Sequence, residues 1–234
     1  MASPFLDRDL YVRPIDAYID PPVPRARAIL THGHADHARS GHGAVLATPD
    51  TIAIMKARYG EDSARQFQPL EFDTPLQVDD VTITLKPAGH ILGSAQVLME
   101  HRGQRIVVTG DYKRLPDRTA QPFELAECDL LVTEATFGLP VFQHPDPLDE
   151  IARLLRSAAA FADRAHVVGC YALGKAQRVI ALLRDAGYDA PIYLHGAMIR
   201  LCELYIARGI PLGELRPTLG TGKPELAGQI VIAP

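Results

Sequence analysis

The sequence predicts an α/β protein in two parts: a strand-rich first half and a second half in which helices and strands alternate. Before Gly138, short apolar and β-branched runs recur at 28–31 (AILT), 45–48 (VLAT), 81–86 (VTITLK), 95–101 (AQVLMEH), 105–109 (RIVVT) and 130–133 (LLVT). Each is a strand by length and residue type, and the stretch 51–59 (TIAIMKARY) between them is a helix candidate. After Gly138 the pattern changes. An amphipathic helix at 148–162 is followed by a strand at 166–169, a helix at 175–186, a strand at 192–194 and a helix at 198–208. Alternation of that kind implies a parallel sheet. The proline-bearing stretch GLPVFQHPDP, 138–147, separates the two patterns, so the expected domains are 1–138 and 139–234. No internal repeat or low-complexity tract interrupts them.

Bulk properties set the limits. A chain of 234 residues, 47% hydrophobic and 22% charged, can bury a substantial core as one large domain or two smaller ones. Its formal net charge of -4 exerts no global pull on polyanions, so contact with nucleic acid has to come from a local basic track or from bound cations. The start, MASPFLDR, lacks the basic and apolar segments of a secretory leader, and no apolar run approaches the ~18 residues of a membrane span. The expectation is a cytoplasmic protein with no membrane partner. Cys128, Cys170 and Cys202 are odd in number and far apart, which suits reduced thiols and argues against a disulfide framework or a CxxC metal site.

The chemistry concentrates in THGHADH, 31–37, directly behind the first apolar run. In an extended segment residues i and i+2 point the same way, so His32 and His34 can present imidazoles to one ion while Gly33 lets the backbone pass close by. Asp36 and His37 come after the chain begins to turn, expected as a short helix, and suit a second ion nearby. Nitrogen and oxygen donors without thiolates favour Zn²⁺, with Mn²⁺ or Fe as substitutes. Other donors stand at other strand ends. His90 lies in KPAGHILGSAQ after the strand at 81–86, between Gly89 and Gly93, and Asp111 lies in RIVVTGDY, where a carboxylate can bridge two cations.

The order HxHxDH, His, Asp resembles the metallo-β-lactamase superfamily. The segments YIDPPVPRARAILTHGHADHARSGHG, GHILGSAQ, VVTGDYKR, LVTEATFGLPVF, ALGKAQRVIALL and YLHGAM narrow the likeness. They are similar to the ligase-associated DNA exonucleases, β-CASP nucleases often named mRNA 3′-end processing factors, and the match runs over essentially the whole chain. The resemblance implies an αββα sandwich (1–138) carrying an α/β cap (139–234), with the active site in the cleft between them. It makes Asp20 the brace of the metal loop; His32, His34 and His90 ligands of one zinc; Asp36 and His37 ligands of another; and Asp111 the bridge. It also makes Glu134 the acidic residue of β-CASP motif A and His195 the motif B histidine beside the scissile phosphate. Such a pair of cations acidifies a water and stabilises charge on an attacked phosphate, Glu134 can orient a ligand imidazole, and His195 can donate to a phosphate oxygen. In the family a further metal-binding histidine follows the cap in a segment like SDHAD; here no histidine follows His195 and the chain ends at QIVIAP. The expectation is therefore a C-terminally truncated member, both domains incomplete, holding one metal better than two and weakly active.

Two further features are candidates for nucleic-acid contact. Arg102, Arg105, Lys113, Arg114 and Arg118 surround the Asp111 loop, with Lys113 and Arg114 nearest it, and no aromatic run accompanies them. GCYALGKA, 169–176, is nearly a P-loop, but Ala176 stands where Ser or Thr holds Mg²⁺, which leaves Lys175 as a phosphate contact at a helix start. His42, His101, His144 and His166 receive no role. The function expected is a zinc-dependent DNA exonuclease of repair, with an ATP-dependent DNA ligase as partner. The alternatives are an RNA-processing nuclease of the same fold and a truncated module that binds nucleic acid without cutting it. β-Lactam or thioester hydrolysis suits Glu134, His195 and the α/β cap less well.

Overall fold

The structure, a computed structural model, describes residues 5–234; the first four residues of the N-terminal stretch read above as lacking a leader lie outside the described residues. The chain divides into two compact units, Met1–Ala135 and Thr136–Pro234.

The first unit is built on two five-stranded sheets. One holds β1 (Tyr11–Val12), β2 (Ala17–Ile19), β3 (Arg27–Ile29), β4 (His42–Ala47) and β5 (Ala64–Pro69) in that spatial order, antiparallel at β1–β2 and parallel from β2 to β5. Helix α1 (Pro49–Tyr59) makes the crossover from β4 to β5. Thr48 caps it by accepting from Thr51 N–H, Pro49 opens its first turn, and Gly60 stops it at φ 94°. The other sheet holds β6 (Leu76–Val78), β7 (Val81–Pro87), β8 (Ala95–His101), β9 (Gln104–Val108) and β10 (Leu130–Val132). It is an antiparallel meander as far as β9, against which β10 pairs in parallel.

Alternation along these strands sends Ile83 and Leu85, Val97 and Met99, Ile106 and Val108 to one face, where they share a core with Ile19, Ile29 and Leu46 of the first sheet. Each fully buried aliphatic side chain of this kind contributes about 1.5–3 kcal/mol of transfer free energy. The opposite face of the first sheet, through Ala28, Val45 and Ala47, packs on Ile52 and Met55 of α1. The layers are thus helix, sheet, sheet. Among the described residues α1 is the one α-helix of this unit, so the second outer helical layer of the expected αββα arrangement is not formed by them.

The second unit runs α2 (Pro147–Ala160), β11 (His166–Gly169), α3 (Lys175–Asp185), β12 (Ile192–Leu194), α4 (Gly196–Ala207), β13 (Leu215–Pro217), β14 (Ile230–Ala233). Its sheet is wholly parallel, in the order β11-β14-β12-β13, so β14 lies in the middle. Asp146 caps α2 by accepting from Leu148 N–H. The Arg184 guanidinium ties the end of α3 to the chain entering β13 by donating to the carbonyls of Tyr188, Ala190, Leu212 and Glu214 at 2.5–2.9 Å. Among the described residues no helix is long and apolar enough to cross a membrane.

Candidate metal centre

In the first unit β2, β3, β7, β9 and β10 end at one rim, and the residues that follow them are Asp20, His32, His90, Asp111 and Glu134. The two sheets are joined at this rim where Ala95 N–H, at the start of β8, donates to the carbonyl of Thr31 at 2.8 Å. The loops beyond are stitched together as well: Lys113 N–H donates to the Ala88 carbonyl at 2.9 Å, and the Ser94 hydroxyl accepts from His90 N–H at 3.0 Å. Two glycines permit this closeness. Gly110, at φ 54°, brings the Asp111 loop so near Thr31 that a Cβ would lie 2.5 Å from its hydroxyl. At Gly33 a Cβ would lie 2.4 Å from Ile54 Cγ2. The glycine between the first two histidines therefore answers to α1.

Four of the side chains anticipated from sequence converge on one point. His34 Nδ1 is 3.0 Å from His32 Nε2 and 3.1 Å from His90 Nε2, while Asp111 Oδ2 lies 3.8 Å and 3.6 Å from the same two Nε2 atoms. Donors held tetrahedrally at zinc–nitrogen distances are about 3.4 Å apart, so the spacing fits a single small cation. A hydrogen-bonding account is poorer, because one Nδ1 cannot serve both neighbouring nitrogens with one proton or one lone pair. A second group meets at the other oxygen of Asp111. His37 Nε2 is 3.4 Å from Asp111 Oδ1 and 3.7 Å from Asp36 Oδ2, with Asp36 exposed at the mouth. Asp36 and His37 sit on a hydrogen-bonded turn in which Ala38 N–H donates to the His34 carbonyl at 2.7 Å; the short helix expected there is replaced by this turn.

Asp20 stands behind both groups, its side chain almost fully buried. Its carboxylate accepts from Thr31 N–H at 2.8 Å, from the Thr31 hydroxyl and from His37 Nδ1 at 2.8 Å. Asp20, His32 and His37 also lie close enough to resemble a ligand set, but these hydrogen bonds already occupy Asp20. It is a brace. Thr31, absent from the sequence reading, is the residue that links it to His32, through a 3.1 Å contact between the hydroxyl and His32 Nδ1.

The electrostatics favour a bound cation. Burial holds the pKa of His32 well below the ordinary histidine range, and the neighbouring His37, His34 and His90 add to the effect. Burial likewise pushes His90 down to about 4, aided by His34, Lys113 and His37 and opposed by Glu134. Both imidazoles therefore keep their lone pairs at neutral pH. Burial disfavours a charge on His37, yet the Asp20 hydrogen bond and the charges of Asp20, Asp111 and Asp36 raise its pKa. Asp111 is raised by burial and by Glu134 and Asp36, against His37 and His34. Glu134 is half-buried after β10, and its charge is felt by both His90 and Asp111.

The other candidates fare differently. Lys113 is ion-paired with the buried Asp117, Arg102 with Asp80, and Arg105 with Glu100 and Glu127, so much of the basic track is neutralised locally. Arg114 is exposed. In the second unit His195 caps α4, its Nδ1 accepting from Ala197 N–H at 3.3 Å, which leaves Nε2 carrying the proton. It lies at the same carboxyl end of the parallel sheet as Lys175, whose ammonium sits 5.8 Å from the centre of the Tyr171 ring at the start of α3.

A cluster of histidines and carboxylates at the common rim of two facing sheets is compatible with the metallo-β-lactamase fold. No protein-family model matches the chain. It is 33% identical over 232 residues to "Probable DNA ligase" of Opitutus terrae, covering 96% of this chain and 22% of that one. It is 29% identical over 219 residues to "Endoribonuclease YSH1" of Gibberella zeae, covering 75% and 26%, and 26% identical over 216 residues to "RNase J-like protein" of Methanocaldococcus jannaschii, covering 76% and 49%. The chain thus spans about a fifth to a half of the length of these relatives. These relatives are members of the β-CASP/metallo-β-lactamase family, the family the sequence resembles.

Proposed function

We propose that the chain carries the metal centre of a zinc-dependent phosphodiesterase that degrades DNA in repair, as an exonuclease, in the cytoplasm. The observation that carries this reading is the sharing of Asp111: one oxygen faces His32 and His90, which meet at His34, and the other faces His37 and Asp36. Divalent ions held there would acidify a water and neutralise the non-bridging oxygens of a phosphodiester. The chain's own residues do the rest. Asp20 and Thr31 hold His37 and His32 with their outer nitrogens aimed into the pocket. Glu134 sets the field on His90 and Asp111. Asp36 lies beside His37 at the exposed side of the cluster, and in the second unit the Nε2–H of His195 is free of the helix cap as a candidate donor to a nucleic-acid phosphate.

DNA as substrate and a ligase as partner are supported by the relative named a DNA ligase, of which a stretch matching nearly this whole chain makes up 22%. RNA is the second reading, supported by the relatives named endoribonuclease and RNase J-like. End-labelled single- and double-stranded DNA and matched RNA, each with and without EDTA, separate the two. Metal-dependent shortening of DNA that is lost in His34→Ala and Asp111→Ala is the expected result. Preference for RNA moves the assignment to RNA processing, and cleavage that survives both substitutions overturns the centre.

A further inference from the structure

We propose that Thr31 is a positioning residue whose hydroxyl selects the metal-binding tautomer of His32 and couples His32 to His37 through Asp20. The inference rests on the reading of this rim as a metal centre and assigns a role to a side chain that contributes no ligand to it. The Thr31 hydroxyl is 1% exposed as part of its residue and has two neighbours, Asp20 Oδ2 and His32 Nδ1. Asp20 Oδ2 also takes the Nδ1 proton of His37 at 2.8 Å, and a carboxylate only accepts. The Thr31 proton must therefore go to Asp20, which leaves the hydroxyl oxygen as the acceptor for His32 Nδ1–H. The ring proton of His32 is thereby fixed on Nδ1, and the Nε2 lone pair points at His34, His90 and Asp111. The same carboxylate fixes His37 in the same tautomer, with Nε2 facing the other oxygen of Asp111. One chain of hydrogen bonds, His32 to Thr31 to Asp20 to His37, thus prepares both groups of donors at once.

The alternative tautomer is not neutral for binding. If His32 carried its proton on Nε2, that proton would fill the space between the donors and no lone pair would reach an ion. Partners that orient ligand imidazoles in this way are worth 10–100-fold in metal affinity when removed. The Thr31 backbone does separate work, donating to Asp20 Oδ1 and accepting from Ala95 N–H, both at 2.8 Å, and these bonds survive a change of side chain.

Two variants and two measurements decide the matter. Thr31→Val keeps the shape of the side chain against Gly110 but has no hydroxyl; Thr31→Ser keeps the hydroxyl. In the metal-free 234-residue chain, long-range ¹H–¹⁵N correlation spectra report the tautomer of each histidine. His32 should be Nδ1–H in the parent and in Thr31→Ser, and Nε2–H or a mixture in Thr31→Val. Zinc calorimetry should show Thr31→Val binding 10–100-fold more weakly and Thr31→Ser within about threefold of the parent. An Nε2–H tautomer for His32 in the parent overturns the proposal, as does a valine variant with the parent's tautomer and affinity, or a serine variant that behaves like valine. A parent that takes up no zinc overturns the metal-centre reading instead, and the spectra of the metal-free chain still decide the role of the hydroxyl.

Discussion

Replacing Gly33 by alanine probes why a glycine separates the first two histidines of the HxHxDH run. The added Cβ would lie 2.4 Å from Cγ2, 3.0 Å from Cβ and 3.3 Å from Cδ1 of Ile54, which is fully buried on α1. Carbon atoms in contact prefer about 3.5–4.0 Å, so helix and loop must part by about 1 Å at this point. They are also tied together, since Arg58 on α1 donates to the Gly33 carbonyl at 2.8 Å. Overpacking of this sort costs about 1–3 kcal/mol. Taking about 2 kcal/mol, and about 4 °C per kcal/mol for a unit of this size, the first unit should melt about 8 °C lower. Because His32 and His34 flank the displaced residue, zinc affinity should fall about tenfold as well. Circular-dichroism melts of the metal-free protein and zinc calorimetry measure the two effects. Ile54→Ala supplies the control: alone it leaves a cavity costing about 3 kcal/mol, but in the double variant the new methyl group enters the vacated space. The double variant should then be at least about 1 kcal/mol more stable than the sum of the singles. A Gly33→Ala protein with the parent's melting temperature and affinity, or strict additivity in the double variant, would refute the steric account.

Other expectations follow from the same geometry. In the metal-free chain His90 titrates at about 4 folded and near 6.5 unfolded, and His32 is shifted the same way, so the unfolded state binds more protons between those values. Stability should therefore fall as pH drops through that window, by about 3 kcal/mol for His90 alone. His37, whose folded pKa is raised, opposes this with stability that is full below about 6.5 and fades as pH rises through its folded value. Urea denaturation at pH 7 and pH 4.5 gives the balance, and greater stability at pH 4.5 would contradict it. The His32, His34, His90 and Asp111 set offers four donors, against three from His37, Asp36 and Asp111. Calorimetry should accordingly resolve a tighter and a weaker site, with His37→Ala removing the weaker and Asp111→Ala damaging both. In the second unit, Arg184→Lys cannot reach the carbonyls the guanidinium serves and should cost that unit about 3 kcal/mol by urea denaturation, far more than the exposed Arg200→Lys would.

What the sequence showed and what it hid divide along physical lines. Runs such as VTITLKP and AQVLMEH carry enough apolar, β-branched residues to declare themselves, and β7, β8, β9, β11 and β12 lie within a residue or so of their expected places. Helices α2, α3 and α4 likewise form where alternation placed them. Strands β1, β2, β6 and β13 are two or three residues long, too short for a period to show, and β5 (ARQFQP) is polar along most of its length. The sequence reading has no strand at β14 (Ile230–Ala233), a four-residue run, and its place between β11 and β12 was not legible either, because the order of strands in a parallel sheet depends on crossovers. At the site, the HxHxDH run identifies itself because one short stretch of backbone presents most of the donors. The contribution of Thr31 was hidden because a threonine at a strand end has many ordinary uses. The pairing of Lys113 with Asp117 was hidden because an i, i+4 pair in a loop has no helix to announce it.

The central position of β14 also dictates the order of events during synthesis. Strands β11 and β12 are made early, yet neither touches the other in the finished sheet; each waits for Ile230–Ala233 to arrive and fill the gap. Until then both present bare inner edges, open to pairing with a neighbouring nascent chain. Slow arrival of that strand, or its loss to a protease, should show up first as insolubility.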